Sequence, residues 1–204
     1  MPEVNIALAN IAGLRLIETA PPATPATGYG VLFMGTDKKI KIKDSLGNIS
    51  GAIVPTIVQV ANYQTSTYAS GTTTIPNDTS IPQITEGTEF MTLAFTPGAA
   101  TSYLDIDIQA NLISATAAVR WIIGALFQDS VANAISANVL YAPAASTGGI
   151  LTIKHRMLAG TTSPITFRFR AGVHNTGTIY FNGTTSATLG GTIYSSITVT
   201  EVTV

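Results

Sequence analysis

Cysteine is absent from this chain of 204 residues, which removes disulfides, thiolate metal sites and a cysteine nucleophile together and leaves the redox compartment open. Charge is scarce as well. Ten Lys and Arg stand against eleven Asp and Glu, a formal net charge of -1, so there is no basic stripe to neutralise several phosphates and nucleic acid is not an expected partner. Long apolar runs are also missing. The longest, Val119–Phe127, carries Arg120 and falls well short of the roughly 18 residues that read as a spanning helix. The N-terminus shows no basic stretch ahead of an apolar one, so neither membrane insertion nor a signal peptide is expected, and the product reads as a soluble protein made in a cytoplasm.

With only 10% of residues charged, the surface must be made polar by Thr, Ser, Asn and Gly. Thr alone contributes 31 residues, and its branched Cβ favours strands. A hydrophobic share of 46% is enough for a substantial core, and the length suits one domain plus an extension.

Three regions follow along the chain. Residues 1–30 join a short apolar segment to Pro21-Pro-Ala-Thr-Pro-Ala-Thr-Gly-Tyr-Gly30 and read as an extended arm that packs on a partner. Residues 31–54 read as a small β-meander: Val31–Met34, a turn at Gly35–Asp37, the alternating Lys39–Lys43, a turn at Asp44–Gly47, and Asn48–Ile53. Strands this short need to dock on something larger. Residues 55–204 form a train of strands separated by Gly, Pro, Asn and Ser: Ile57–Tyr63, Glu89–Thr96, Ser102–Ser114, Ala118–Gln128, Asn138–Ala142, Gly149–Leu158, Ile165–Ala171, Thr178–Asn182 and Thr192–Thr203. In Tyr103–Leu112, Leu104, Ile106, Ile108, Ala110 and Leu112 face one way while Tyr103, Asp105, Asp107, Gln109 and Asn111 face the other, as in a half-buried antiparallel strand. With no helical periodicity competing, the fold class is an all-β antiparallel jelly-roll sandwich.

Sites for chemistry have plainer readings. His155 is in phase with Leu151, Ile153 and Met157 and reads as a hydrogen-bonded core or interface histidine, while His174 lies in a loop. Neither has metal-ligand spacing around it, so no metal and no cofactor are expected. Asp105 and Asp107 share a strand face at about 7 Å, a distance compatible with paired-carboxylate catalysis. The simpler account sets them opposite Lys154 and Arg156, or Arg168 and Arg170, on other strands. Lys38, Lys39, Lys41 and Lys43 fit an exposed ribbon edge. Gly190-Gly191 lacks the Lys and Ser/Thr of a phosphate loop, no Gly-x-Ser-x-Gly elbow occurs, and the sequons at Asn77 and Asn182 are what a Thr-rich chain yields by chance. No enzyme is expected.

The stretch Gly28-Tyr-Gly-Val-Leu-Phe-Met-Gly-Thr-Asp-Lys-Lys-Ile-Lys-Ile-Lys-Asp-Ser-Leu-Gly-Asn48 resembles a module of bacteriophage fibre and head-decoration proteins, with Lys38 standing where that module often has Gly. Arg170-Ala-Gly172, Asn182-Gly183 and Gly190-Gly191 ahead of Ser195-Ser-Ile-Thr-Val-Thr-Glu201 are similar to the last strands of phage jelly-roll head domains. The resemblance implies a homotrimeric virion surface protein with a tumour-necrosis-factor-like jelly roll, partnered by the major capsid protein or other virion proteins.

Two roles fit that resemblance. One is a capsid decoration, cement or head-fibre protein whose arm and meander clamp the shell. The alternative is a tail fibre or receptor-binding tip recognising a host surface glycan or receptor. No heptads or repeats supply a shaft, which favours the shell. Tyr29, Phe33, Trp121, Tyr180, Phe181, Tyr194, Arg168 and Arg170 are the expected interface residues, since aromatics and arginine dominate such contacts; a core position for Trp121 is the competing reading.

Overall fold

The computed structural model describes residues 21–36, 40–51, 56–115 and 119–203. The chain divides into two compact units, Met1–Val54 and Pro55–Val204. In the first, β1 (Val31–Met34), β2 (Ile40–Lys43) and β3 (Ile49–Gly51) form an antiparallel sheet in that order. The turn from β2 to β3 is tied by Asp44, whose carboxylate accepts the N–H of Leu46 and of Asn48 and the Nδ2 of Asn48. Gly47 takes φ 87°, a value that favours glycine. Lys43 Nζ donates to Pro22 O at 2.9 Å, fastening the Pro-rich stretch to this sheet. Residues 1–20 of the arm, and Asp37, Lys38 and Lys39, lie outside the described residues.

The second unit is a jelly-roll β-sandwich. One sheet sets β10 (Thr147–Leu158), β7 (Tyr103–Ser114), β13 (Ser195–Thr203) and β4 (Thr56–Thr65) side by side, all antiparallel. Beyond the start of β13, the edge of β7 is taken over by β12 (Ile179–Phe181), which pairs in turn with β5 (Ala69–Gly71). The other sheet runs β6 (Thr88–Phe95), β11 (Ile165–Val173), β8 (Arg120–Gln128), β9 (Ser136–Ala142). Among the described residues no helix is long and apolar enough to cross a membrane.

The alternation read in Tyr103–Leu112 holds: Leu104, Ile106, Ile108, Ala110 and Leu112 are all buried, meeting Phe167, Phe169 and Leu126 of the facing sheet. Strand β8 is different, because both of its faces are covered. Ile122 and Leu126 point between the sheets, while Ile123, Ala125 and Phe127 pack beneath Ile75 and Ile84 from the segment that precedes β6. That double cover explains why Ile122–Phe127 reads as a continuous apolar run.

The sheets approach closely at Gly124, where a Cβ would stand 2.7 Å from Leu151 Cδ2 and 2.8 Å from Phe169 Cε2. Gly124→Val is therefore expected to cost roughly 1–3 kcal/mol by overpacking. The check is a lower denaturant midpoint at unchanged slope, and an unaltered midpoint would refute the close approach.

One boundary and one missed strand need correction. The strand expected from Thr192 starts at Ser195, because Leu189–Gly191 form one 3-10 turn with Gly190 at φ 66° and Thr192 N–H bonded to Leu189 O. β5 was not expected: Ala-Ser-Gly has little strand preference, and pairing with β12 creates it.

Candidate functional site

Directly paired residues of an antiparallel sheet share a face, so the register of β10, β7, β13 and β4 lays out the outer face of the first sheet in rows. One row is apolar throughout: Leu158, Tyr103, Val202 and Ile57. Ile57 is 62% exposed and Leu158 51%, an unusual degree for side chains of that size lined up across four strands. The next row is Arg156, Asp105, Thr200 and Val60, and the one after it Lys154, Asp107, Thr198 and Asn62.

The charges in these rows are paired. Arg156 donates to both oxygens of Asp105, at 2.6 and 2.5 Å, and its guanidinium lies 5.9 Å from the Tyr103 ring centre. Lys154 Nζ sits 2.8 Å from Asp107. The Arg156 hydrogen bond holds the Asp105 carboxyl below its ordinary range; burial opposes it, and the Arg156 charge adds to it. The Asp107 carboxylate raises Lys154. Of the two arrangements open in the sequence, the one with Lys154 and Arg156 is realised. Arg168 and Arg170 are on the other sheet, where both donate to Glu89, and they also bind backbone oxygens of Asp129, Glu86 and Gly87. His155 is half-buried on the inner side of β10, in phase with Leu151 and Ile153.

The aromatic candidates scatter. Phe181 is a core residue, 1% exposed and stacked on Phe90 at 4.9 Å, so a single chain offers none of it to a partner. Phe33 is buried within the first unit and Tyr29 is exposed there. Tyr180 is half-buried against Tyr68, and Tyr194 is half exposed. Trp121 is on the surface, on the outer face of β8, with Tyr141 of β9 directly opposite. Tyr103, Leu158, Val202, Ile57 and Tyr141 were not anticipated as surface contacts. The alternation of β7 already put Tyr103 on its polar face, but only the register shows what stands beside it.

Among the described residues no three His, Asp or Glu side chains gather in a way that would hold a metal ion. A groove of about 310 Å³ beside Gly148, Gly149 and Gly183 is lined by no titratable side chain.

A family model described as the Pgp3 C-terminal domain matches residues 64–204. No curated protein matches the chain. Among solved structures, it is similar to dimeric latent PorU from Porphyromonas gingivalis, with 12% identity over 74% of this chain and 13% of that one, at a TM-score of 0.41. It is also similar to the VP2 subviral particle of infectious bursal disease virus, with 8% identity, 76% and 41% coverage and a TM-score of 0.34. A third is the enzymatically active domain of tailspike protein 4 from bacteriophage CBA120, with 17% identity, 68% and 19% coverage and a TM-score of 0.26. The chain thus spans less than half of each of these three chains, and at such scores none of them bears on what it binds or does.

Proposed function

This chain belongs to the Pgp3 C-terminal domain family, and from that premise we propose that it is a non-catalytic, homotrimeric structural protein of a virus particle, carried on the capsid as a decoration protein. The family is one of trimeric, TNF-like domains, which supports the oligomeric state. One observation of this chain carries the reading. The outer face of the second sheet is covered in part by the chain's own Ile75 and Ile84, whereas the outer face of the first presents a bare apolar row beside two ordered ion pairs.

Such a face gains by association. Full burial of a Leu, Ile or Val side chain contributes roughly 1.5–3 kcal/mol, and ion pairs already formed in the free chain carry less ordering entropy into the contact. Around a three-fold axis each face meets its neighbours, so the row acts three times. Asp105 fits this role better than that of a general acid, which needs a raised carboxyl where Asp105 is lowered.

The pure protein is expected to have a mass of about 64 kDa, three times the 21.2 kDa of one chain, by light scattering at micromolar concentration. Ile57→Asp combined with Leu158→Asp is expected to give a monomer that keeps its β circular dichroism. A monomeric parent protein, or a double variant that stays trimeric, would overturn the proposed face. Decoration of the shell predicts density on the capsid when intact particles are imaged by electron microscopy; density confined to the tail would replace that role with the fibre or receptor-binding one.

A further inference from the structure

Trp121 is the single tryptophan of the chain, yet it is 37% exposed on the outer face of β8. Its backbone is held from both sides: His174 N–H donates to Trp121 O at 2.9 Å, and Trp121 N–H donates to His174 Nδ1 at 3.0 Å. Tyr141 is its direct partner in the register of β9, and the two rings lie 4.8 Å apart with their planes at 52°. Val119 and Val139, 47% and 45% exposed, border the pair. Neither the indole N–H nor the Tyr141 hydroxyl has a hydrogen-bond partner among the described residues.

We propose that Trp121 and Tyr141 form a stacking platform for a neutral pyranose sugar. Two rigid rings on paired strands present apolar area at little entropic cost, each with a free polar handle at its edge. A pyranose matches this on both counts, with a C–H face to lie on a ring and hydroxyls to meet the indole N–H and the phenol. At 37% and 49% exposure the two residues offer on the order of 200 Å², enough to carry a short saccharide. β8 and β9 contain no acidic residue to compete for the sugar hydroxyls, and the Nη groups of Arg120 donate to carbonyls, of Val119 at 2.9 Å and of Thr176 at 3.2 Å.

Because the chain has one tryptophan, its emission reports on this site alone. The purified full chain is titrated with chitotetraose, maltoheptaose and lacto-N-tetraose to millimolar concentrations. At least one is expected to change the emission saturably. Tyr141→Ala should then raise the dissociation constant at least tenfold, and Trp121→Ala should abolish saturation-transfer NMR signals from the same sugar while circular dichroism is unchanged. The proposal fails if none of the three sugars binds, or if Tyr141→Ala leaves the affinity intact. It fails equally if either variant alters the oligomeric mass, since the pair would then be a contact between protein chains.

Discussion

Replacing Glu201 by Gln is expected to cost about 3 kcal/mol, or roughly 6–12 °C in melting temperature for a domain of this size. Glu201 is completely buried in β13, and no cation is bonded to it among the described residues. It is instead enclosed by donors: Gly98 N–H approaches both carboxylate oxygens at 3.0 and 2.9 Å, Ala99 N–H one of them at 3.1 Å, and Gln59 Nε2 the other at 2.7 Å. Gln59 also donates to Thr96 O at 2.7 Å. One carboxylate thus fastens the loop between β6 and β7 to the edge strand β4. An amide in its place turns an NH2 toward N–H groups that need an acceptor, leaving buried donors unsatisfied.

The same site sets a pH dependence. Burial pushes the Glu201 carboxyl up, but the hydrogen bonds from Gly98, Gln59 and Ala99 outweigh it and leave the group below its ordinary value. The stabilisation is therefore complete above the ordinary glutamate range and is lost as pH falls through the lower folded-state value. The gap in melting temperature between the parent and Glu201→Gln should be widest near pH 7 and narrow below about pH 4. A gap that stays constant from pH 7 to pH 3 would show that the negative charge plays no part.

Asn182→Ala is expected to cost a further large amount, about 2–4 kcal/mol, because the residue closes the gap where β7 changes partners in the first sheet. Beyond Gln109 the edge of β7 passes from β13 to β12, and Asn111 sits in the gap. Asn182 N–H donates to Asn111 O at 3.1 Å, Asn111 N–H donates to Ser195 Oγ at 2.9 Å, and Ser195 Oγ donates to Asn182 Oδ1 at 2.6 Å. Asn182 Nδ2 reaches Thr65 O at 2.9 Å, the last residue of β4. The backbone has φ 56°, a left-handed value that Asn accepts more readily than most residues. Asn182→Gly separates the two contributions, since it relieves the backbone but not the buried partners. It should recover a minor part of the loss in urea unfolding, and full recovery would mean that the side-chain bonds contribute little.

Strands were legible wherever one face meets the core and the other meets water, because burial then imposes alternation. β7 and β11 are the clear cases: Phe167 and Phe169 are buried between half-buried Arg168 and Arg170. The sign and position of the ion pairs on β7 were legible in the same way. Their partners were less so, since the choice between Lys154/Arg156 and Arg168/Arg170 depends on which strand lies next to β7. Asn182-Gly183 read only as a turn marker, and Glu201 only as an acid in a terminal strand.

Composition and alternation by themselves determined an all-β, low-charge sandwich without thiol chemistry, because hydrophobic period and residue type act locally. Tertiary structure alone decided that Phe181 is core while Trp121 is surface, that four apolar side chains from four strands line up in one row, and that Glu201 is a buried anion. Each of these depends on partners far away in sequence. Gln59 lies 142 residues from Glu201, and only the strand register brings such groups within hydrogen-bonding distance.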